Sequence, residues 1–275
     1  RDEVLTCEGG RKRLRADVVF AYTEKSGYSR FREHMDYCLQ HGARVHIYSN
    51  LADSFRDPVK LVSDGPVQFV TFFDEPLQNP VNITVKRALD IAVSLPVVLF
   101  LLPPLILFVR LIHWVQSPGP LFFKQKRYGM NRRPFTILKF RSMHVHDRDE
   151  ESRQATRGDQ RIFSFGAFLR KSSIDEFPQF VNVLRGEMSV VGPRPHLTLH
   201  DAEFEQFHER YRSRHFVKPG ITGLAQVNGF RGEIQNEAAI LGRVELDHRY
   251  ISKWTIWKDL AIIFRTAWQV VFPPK

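Results

Sequence analysis

The sequence predicts an α/β protein in three parts: a small parallel fragment over residues 1–80, a re-entrant membrane helix hairpin over residues 84–114, and a mostly α-helical α+β domain over residues 115–275 with amphipathic helices at its surface. Three observations carry that prediction. Before residue 80, short β-branched runs flank a segment with helical spacing. Residues 91–109 carry no charge but are interrupted by Pro96, Pro103 and Pro104. Beyond them, short strand-like runs and turns rich in proline and glycine lead to a closing stretch whose tryptophans recur at helical intervals.

In the first part, residues 16–22 (ADVVFAY) and 43–49 (ARVHIYS) read as buried strands, residues 30–41 as the helix between them, and residues 67–73 (VQFVTFF) as a third strand. Strand, helix, strand in that order implies a parallel, Rossmann-like unit covered by helices. No G-x-G-x-x-G follows a strand, and Gly9-Gly10 alone does not mark a dinucleotide site. A regulatory or spacer role is expected. Arg1 stands where a start methionine would, so the chain is read as a fragment or processed form.

The uncharged run is nineteen residues long; at about 1.5 Å per residue it just crosses a hydrocarbon core of roughly 30 Å. Its prolines argue against a simple span, because each removes a backbone donor and clashes with the preceding turn. Lys86 and Arg87 before the run, and Arg110, Lys124, Lys126 and Arg127 after it, place both ends on the cytoplasmic side. The expectation is a helix that dips into one leaflet, breaks at Pro103-Pro104 and returns, with His113 and Trp114 near the exit surface. An ordinary span and a buried hairpin of a soluble protein are the competing readings.

In the third part, residues 135–140 (FTILKF) look like a strand carrying Lys139, with Arg141 just beyond. His144 and His146 lie in a charge-rich loop and lack a third ligand, so they read as solvated. The last stretch, residues 250–272, has Trp254, Trp257, Leu260, Ile263, Phe264 and Trp268 at helical spacing, with Lys253, Lys258 and Arg265 between them. A helix lying on a membrane surface and a helix packed on the core both fit it.

Forty Lys and Arg against thirty Asp and Glu leave a net charge of +10. Such a surplus suits an anionic partner, and beside a membrane segment that means lipid phosphate or a phosphorylated substrate. The chain lacks the basic, aromatic-interleaved patch of a nucleic-acid binder, so no nucleic acid is expected. Cys7 and Cys38 show no metal spacing and fit a reduced compartment.

The chemistry concentrates at Ser172-Ser173-Ile174-Asp175-Glu176-Phe177-Pro178. Ser173 and Glu176 could form a capping box, but proline would then fall at the fifth helical position, where its missing N–H is needed. With Asp175 as the cap, Pro178 falls at the third position without penalty. Two carboxylates at a helix start would stay ionised and could share a divalent cation, equipped either to hold metal or to attack phosphorus. Arg170 and Arg185 lie close in sequence. Arg194 is fixed between Pro193 and Pro195, as suits a planar fork on phosphate oxygens. The turn Lys218-Pro219-Gly220-Ile221-Thr222-Gly223 has glycines that would let backbone amides approach a ligand. Together these point to phosphoryl transfer on a diphosphate substrate.

The order Lys86-Arg87-x-x-Asp90, the proline-broken apolar run, Lys139-Phe140-Arg141-Ser142-Met143, Asp175-Glu176, Asn182-Val183-Leu184-Arg185-Gly186-Glu187-Met188-Ser189, Val191-Gly192-Pro193-Arg194-Pro195 and Pro219-Gly220-Ile221-Thr222-Gly223 resembles the monotopic phosphoglycosyl transferases, or bacterial sugar transferases. The resemblance covers residues 84–272 and makes residues 115–275 the phosphoglycosyl transferase catalytic domain. The first part is similar to the end of the soluble domain in larger members, which also carry four upstream transmembrane helices. The resemblance implies transfer of a sugar phosphate from a UDP-sugar to undecaprenyl phosphate, with release of UMP, at the cytoplasmic face of a bacterial inner membrane. Asp175 would be the nucleophile that forms a covalent phosphosugar intermediate, and Glu176 its partner in placing Mg²⁺. Arg170 and Arg194 match phosphate or nucleotide contacts, to which charge and location add Lys139 and Arg141. Pro219, Gly220 and Thr222 complete the expected binding set. Phe230-Arg231-Gly232-Glu233 and Arg243-Val244-Glu245-x-Asp247 look like members that transfer glucose or galactose phosphate, glucose first. One departure stands out: the family's Ser-Pro pair at the membrane break is here Leu102-Pro103, followed by Pro104. Membrane lipid is an expected partner, and a homodimer is left open.

Overall fold

The computed structural model describes residues 75–144, 159–198, 201, 204, 211–230 and 237–272, and before them four short strands. The chain divides into two compact units, Arg1–Asp74 and Glu75–Lys275.

In the first unit β1 (Asp17–Ala21) and β2 (Arg44–Tyr48) pair in parallel, as the strand, helix, strand order requires. The helix expected over residues 30–41 lies outside the described residues. β3 (Lys60–Asp64) was not foreseen, and β4 (Val67–Thr71) pairs with it antiparallel. The strand expected over residues 67–73 is thus present, in an antiparallel pair of its own. Only Gly65 and Pro66 separate β3 from β4, and a parallel return needs a crossover of a dozen residues or more.

The second unit opens with α1 (Pro80–Pro96), capped by the Asn79 side chain accepting from the Val81 amide at 2.9 Å, with Pro80 at the first position where it loses no bond. A π-turn over Val97–Leu101 leads directly into α2 (Leu102–Gln116), and the backbone stays right-handed helical through the junction. The helix is therefore continuous from Pro80 to Gln116, 37 residues: in place of the expected break at Pro103-Pro104 there is a widened turn just before it. The cause is local: the Leu102 amide reaches back to the Val97 carbonyl, which places Pro103 and Pro104 in the first turn after the bulge.

Both halves of this helix lie against the same body. Leu102 and Val109 join Phe140 and Leu169 in a buried cluster, while Lys86, Asp90 and Ser94 are buried at the other end. Lys86 Nζ meets Asp259 at 2.8 Å, and Asp90 accepts from the Ser189 hydroxyl at 2.8 Å and the Val190 amide at 2.9 Å. Arg87 donates to the Val183 and Leu184 carbonyls at 2.6 and 2.7 Å, satisfying groups that a helix end leaves open.

The rest builds around two small sheets. β5 (Phe122–Tyr128) and β6 (Pro134–Phe140) form an antiparallel hairpin. α3 (Ser164–Lys171) and a 3-10 turn (Ile174–Glu176) lead into α4 (Gln179–Leu184). β7 (Ser189–Val191) pairs in parallel with β8 (Gly220–Thr222), and a 3-10 segment Tyr211–Phe216 lies between them in sequence. α5 (Leu224–Val227), α6 (Glu237–Ser252) and α7 (Ile256–Val271) close the unit. α7 packs on the unit through Asp259 and Ile262, which are buried, while Trp257, Phe264 and Trp268 stay exposed.

A carboxylate pair in a cationic cavity

The site is assembled where α3 ends. Ser173 takes a left-handed conformation (φ +57°) and turns the chain, and the 3-10 turn Ile174–Glu176 follows at once. Neither capping scheme expected from sequence forms. Ser173 makes no side-chain cap, Asp175 sits inside the 3-10 turn, and Pro178 is itself the cap residue of α4. The proline thus loses no helical bond, by a different route from the one expected.

Glu176 is clamped. Lys139 at the end of β6 donates to its Oε1 at 2.7 Å, and Arg194 forks onto both oxygens at 2.5 and 3.1 Å. Burial works against ionisation of Glu176, but Arg194 and Lys139 outweigh it and hold the carboxyl well below the usual range. Asp175 is only 8% exposed, and among the described residues none hydrogen-bonds to its carboxylate. Burial, reinforced by the Glu176 charge, pushes it up to about 6, against the pull of Lys139, Arg170 and Arg194. Adjacent carboxyls are thereby given different characters, one locked as an anion and one open to the cavity.

The cavity measures about 1230 Å³ and is lined by Lys139, Arg170, Asp175, Glu176 and Arg194, among others. It is lined too by apolar residues, including Val93 of α1, Phe180 of α4 and Ile263 and Ala267 of α7. Arg170 reaches the Ser142 hydroxyl at 3.4 Å and acts on Asp175 through its charge.

Other expected contacts serve the scaffold instead. Arg141 is 5% exposed; it donates to the Pro120 carbonyl at 2.7 Å, the Ser117 hydroxyl at 2.6 Å and the Met143 carbonyl at 3.0 Å, and also to the Ser117 carbonyl. Its guanidinium ties the 117–120 turn to the end of β6, and Arg141 also lines the cavity. Gly220 lets one turn approach another rather than a ligand: its amide donates to the Pro193 carbonyl at 2.9 Å, and a Cβ there would meet the Gly192 nitrogen at 2.1 Å. The Pro219 carbonyl accepts from the Ser189 amide at 2.9 Å, and the Thr222 hydroxyl meets Thr266 at 2.7 Å. Of these three only Thr222 also lines the cavity.

Sequence reading missed Arg127 and His196, and treated Arg243 only as part of a pattern. All three line the cavity. The signal for Arg127 was its alternation with Gln125 along β5, which sends both side chains to one face.

A resident Mg²⁺ fits the donor set in one respect. Mg²⁺ is commonly held by one or two carboxylates with the remaining positions left to water and substrate phosphate. Asp175 has open oxygens, and the Glu176 oxygens keep lone pairs beyond those used by Lys139 and Arg194. Among the described residues no cluster of three metal-type side chains exists, so the protein would supply two ligands at most.

An acidic pair thus sits inside a cationic cavity in a unit that also carries a helix long and apolar enough to cross a membrane. The chain belongs to the bacterial sugar transferase family, whose pattern matches residues 81–273. It is 46% identical over 203 residues to the UDP-glucose:undecaprenyl-phosphate glucose-1-phosphate transferase of Escherichia coli K12, covering 74% of this chain and 43% of that protein. The protein of the same description from Xanthomonas campestris pv. campestris is 42% identical over 247 residues, 84% of this chain and 51% of the relative. A UDP-galactose-lipid carrier transferase from Erwinia amylovora is 36% identical over 196 residues, 66% of this chain and 39% of the relative. The chain thus spans about half the length of these relatives or less.

Proposed function

We propose that this chain transfers a sugar 1-phosphate from a UDP-sugar to undecaprenyl phosphate, in two steps through a phosphosugar bound to Asp175. A carboxylate oxygen of Asp175 attacks the sugar-bearing phosphorus, the bond from that phosphorus to the bridging oxygen breaks, and UMP leaves with the electron pair. A phosphate oxygen of undecaprenyl phosphate then attacks the same phosphorus and displaces Asp175, giving a lipid diphosphate sugar that begins an exopolysaccharide or O-antigen. The observation that carries this reading is the asymmetry of the pair: Glu176 is held by Lys139 and Arg194, while Asp175 faces the cavity unbonded. Lys139, Arg170 and Arg194 neutralise the phosphate charge that would otherwise repel an anionic nucleophile. Mg²⁺, when bound at Asp175 and Glu176, supplies further charge neutralisation on the diphosphate. Glucose is the favoured sugar, since several relatives at 42–47% identity are named for UDP-glucose, with galactose next.

The acceptor's phosphate is fixed at a membrane surface, so the site must lie there. Support for a helix that enters one leaflet from the cytoplasmic face of the inner membrane comes from its contacts. A straight 37-residue helix is about 55 Å long, against roughly 30 Å of hydrocarbon. Yet Lys86 near its start, Leu102 at its middle and His113 near its end are all buried against the same unit.

The deciding experiment incubates protein with UDP-glucose labelled in its β-phosphate. Denatured wild type should retain label, and Asp175→Asn should retain none and lose transfer at least 1000-fold with its fold intact. Product formed by wild type without labelled protein in a single turnover would overturn the covalent route.

A further inference from the structure

One wall of the cavity is more cationic than the proposed attack on phosphorus needs. Past Arg194 the chain runs through Pro195 to His196, and there three guanidiniums gather outside the acidic pair: Arg127 from β5, Arg214 from the 3-10 segment and Arg243 from α6. Arg214 is balanced by Asp247 at 2.8 Å, and Tyr211 donates to Asp201. His196 is 7% exposed, with Nδ1 at 2.6 Å from Arg214 Nη1 and 2.7 Å from the Tyr211 hydroxyl, and Nε2 at 3.3 Å from Arg243 Nη1. Both His196 nitrogens are engaged by these neighbours, and the ring spaces Arg214 from Arg243 at the cavity wall. Burial first, then the neighbouring arginines, push Arg243 and Arg127 down to about 10 each, more than the nearby carboxylates pull them up. Both remain charged at neutral pH in surroundings that favour an added anion.

Resting on the transfer reading, the geometry points to a subsite in which Arg127 and Arg243, positioned about His196, hold the donor phosphate that departs with the nucleoside. As the bridging bond breaks, that phosphate goes from one negative charge to two, and its new charge falls on the bridging oxygen. Arg127 is held by the Gln125 side chain at 2.6 Å and the Pro195 carbonyl at 3.5 Å, so its charge stands fixed at the cavity wall, where preplaced positive charge stabilises the transition state. The acceptor's phosphate has the same chemistry, but it arrives on a prenyl chain. Apolar cavity walls that suit such a chain come from α1, α4 and α7, and from Phe122 and Phe123 at the start of β5, five and four residues before Arg127.

The test measures UMP and uridine binding by titration calorimetry, and the KM for each substrate, on the full chain in nanodiscs. Arg127→Gln and Arg243→Gln should each raise the UMP Kd at least tenfold and the UDP-glucose KM in step, leaving the uridine Kd and the undecaprenyl phosphate KM within twofold. The charge-keeping Arg243→Lys and Arg127→Lys should recover most of the UMP affinity, and they decide the matter if the glutamine variants fail to fold. UMP Kd values within twofold of wild type in all variants would overturn the subsite, as would a rise confined to the acceptor KM. Should wild type fail to turn over UDP-glucose, the transfer reading falls by itself, and the UMP titrations still judge these residues.

Discussion

Residue by residue, the Glu176 carboxylate is the part of the site that most depends on its neighbours. Lys139 and Arg194 are both partly buried and both directed at it. Glu176→Gln leaves two cations around a neutral amide, and breaking a buried charge cluster is strongly destabilising. Discounted for the partial exposure of Arg194, a loss of about 2 kcal/mol is expected. Chemical denaturation checks it, and an unchanged midpoint would sink the claim that this cluster holds the turn in place. Arg194→Lys keeps the charge but not the fork, so a drop in transfer rate of ten- to a hundredfold is expected in a steady-state UMP-release assay. Asp175, Glu176, Lys139, Arg170 and Arg194 were legible in sequence because charge and rigid flanks mark them without reference to the fold. Arg141 was read from the same signals, and it lines the cavity while its guanidinium is held by the scaffold. Nothing in its charge reveals that the carbonyls of Ser117, Pro120 and Met143 surround it.

Among the elements, the membrane helix shows how much a local pattern can specify. Its prolines marked an interruption at Pro103-Pro104, and a π-turn stands just before it at Val97–Leu101, but proline spacing alone does not say whether an interruption is an unwound break or a π-turn. Packing decided it. Leu102 is 5% exposed at the centre of a cluster with Val109, Phe140 and Leu169, which accounts for leucine where the family pattern has serine. Leu102→Ser removes that apolar contact and buries a hydroxyl, so a loss of about 2–4 kcal/mol is expected. A thermal melt in detergent measures it, and a change under 1 kcal/mol would show that the cluster does not depend on this side chain. β3 escaped notice because KLVSD has only two strongly apolar residues, too few for a pattern to register. The Lys86, Asp90 and Asp259 knot joins α1, β7 and α7 across long sequence separations, and no spacing rule predicts such partners.

At the scale of the whole molecule, buried histidines set its response to acid. His196 and His215 are both held neutral, first by burial and then by Arg214. In the unfolded chain each would bind a proton near pH 6.5. Their folded values are depressed, so below that point the unfolded state carries more protons than the native one, and stability rises with pH through the interval. The contribution is complete above about pH 6.5 and is lost as pH falls towards the lowered folded values, by about 1.4 kcal/mol per pH unit for each histidine. Asp247 acts the other way: burial raises its carboxyl above the usual 3.8 despite Arg214, so it limits the loss only in the more acidic range. Between pH 7.5 and pH 5.5 the unfolding free energy should fall by about 1–2 kcal/mol, because protonation of the Asp175 carboxyl, raised to about 6, returns part of what the histidines lose. His196→Gln keeps an acceptor for Arg214 and does not titrate, so it should lose about half as much over the same interval. Denaturant titrations at the two pH values compare the slopes, and equal losses in the variant and wild type would remove His196 from the acid response.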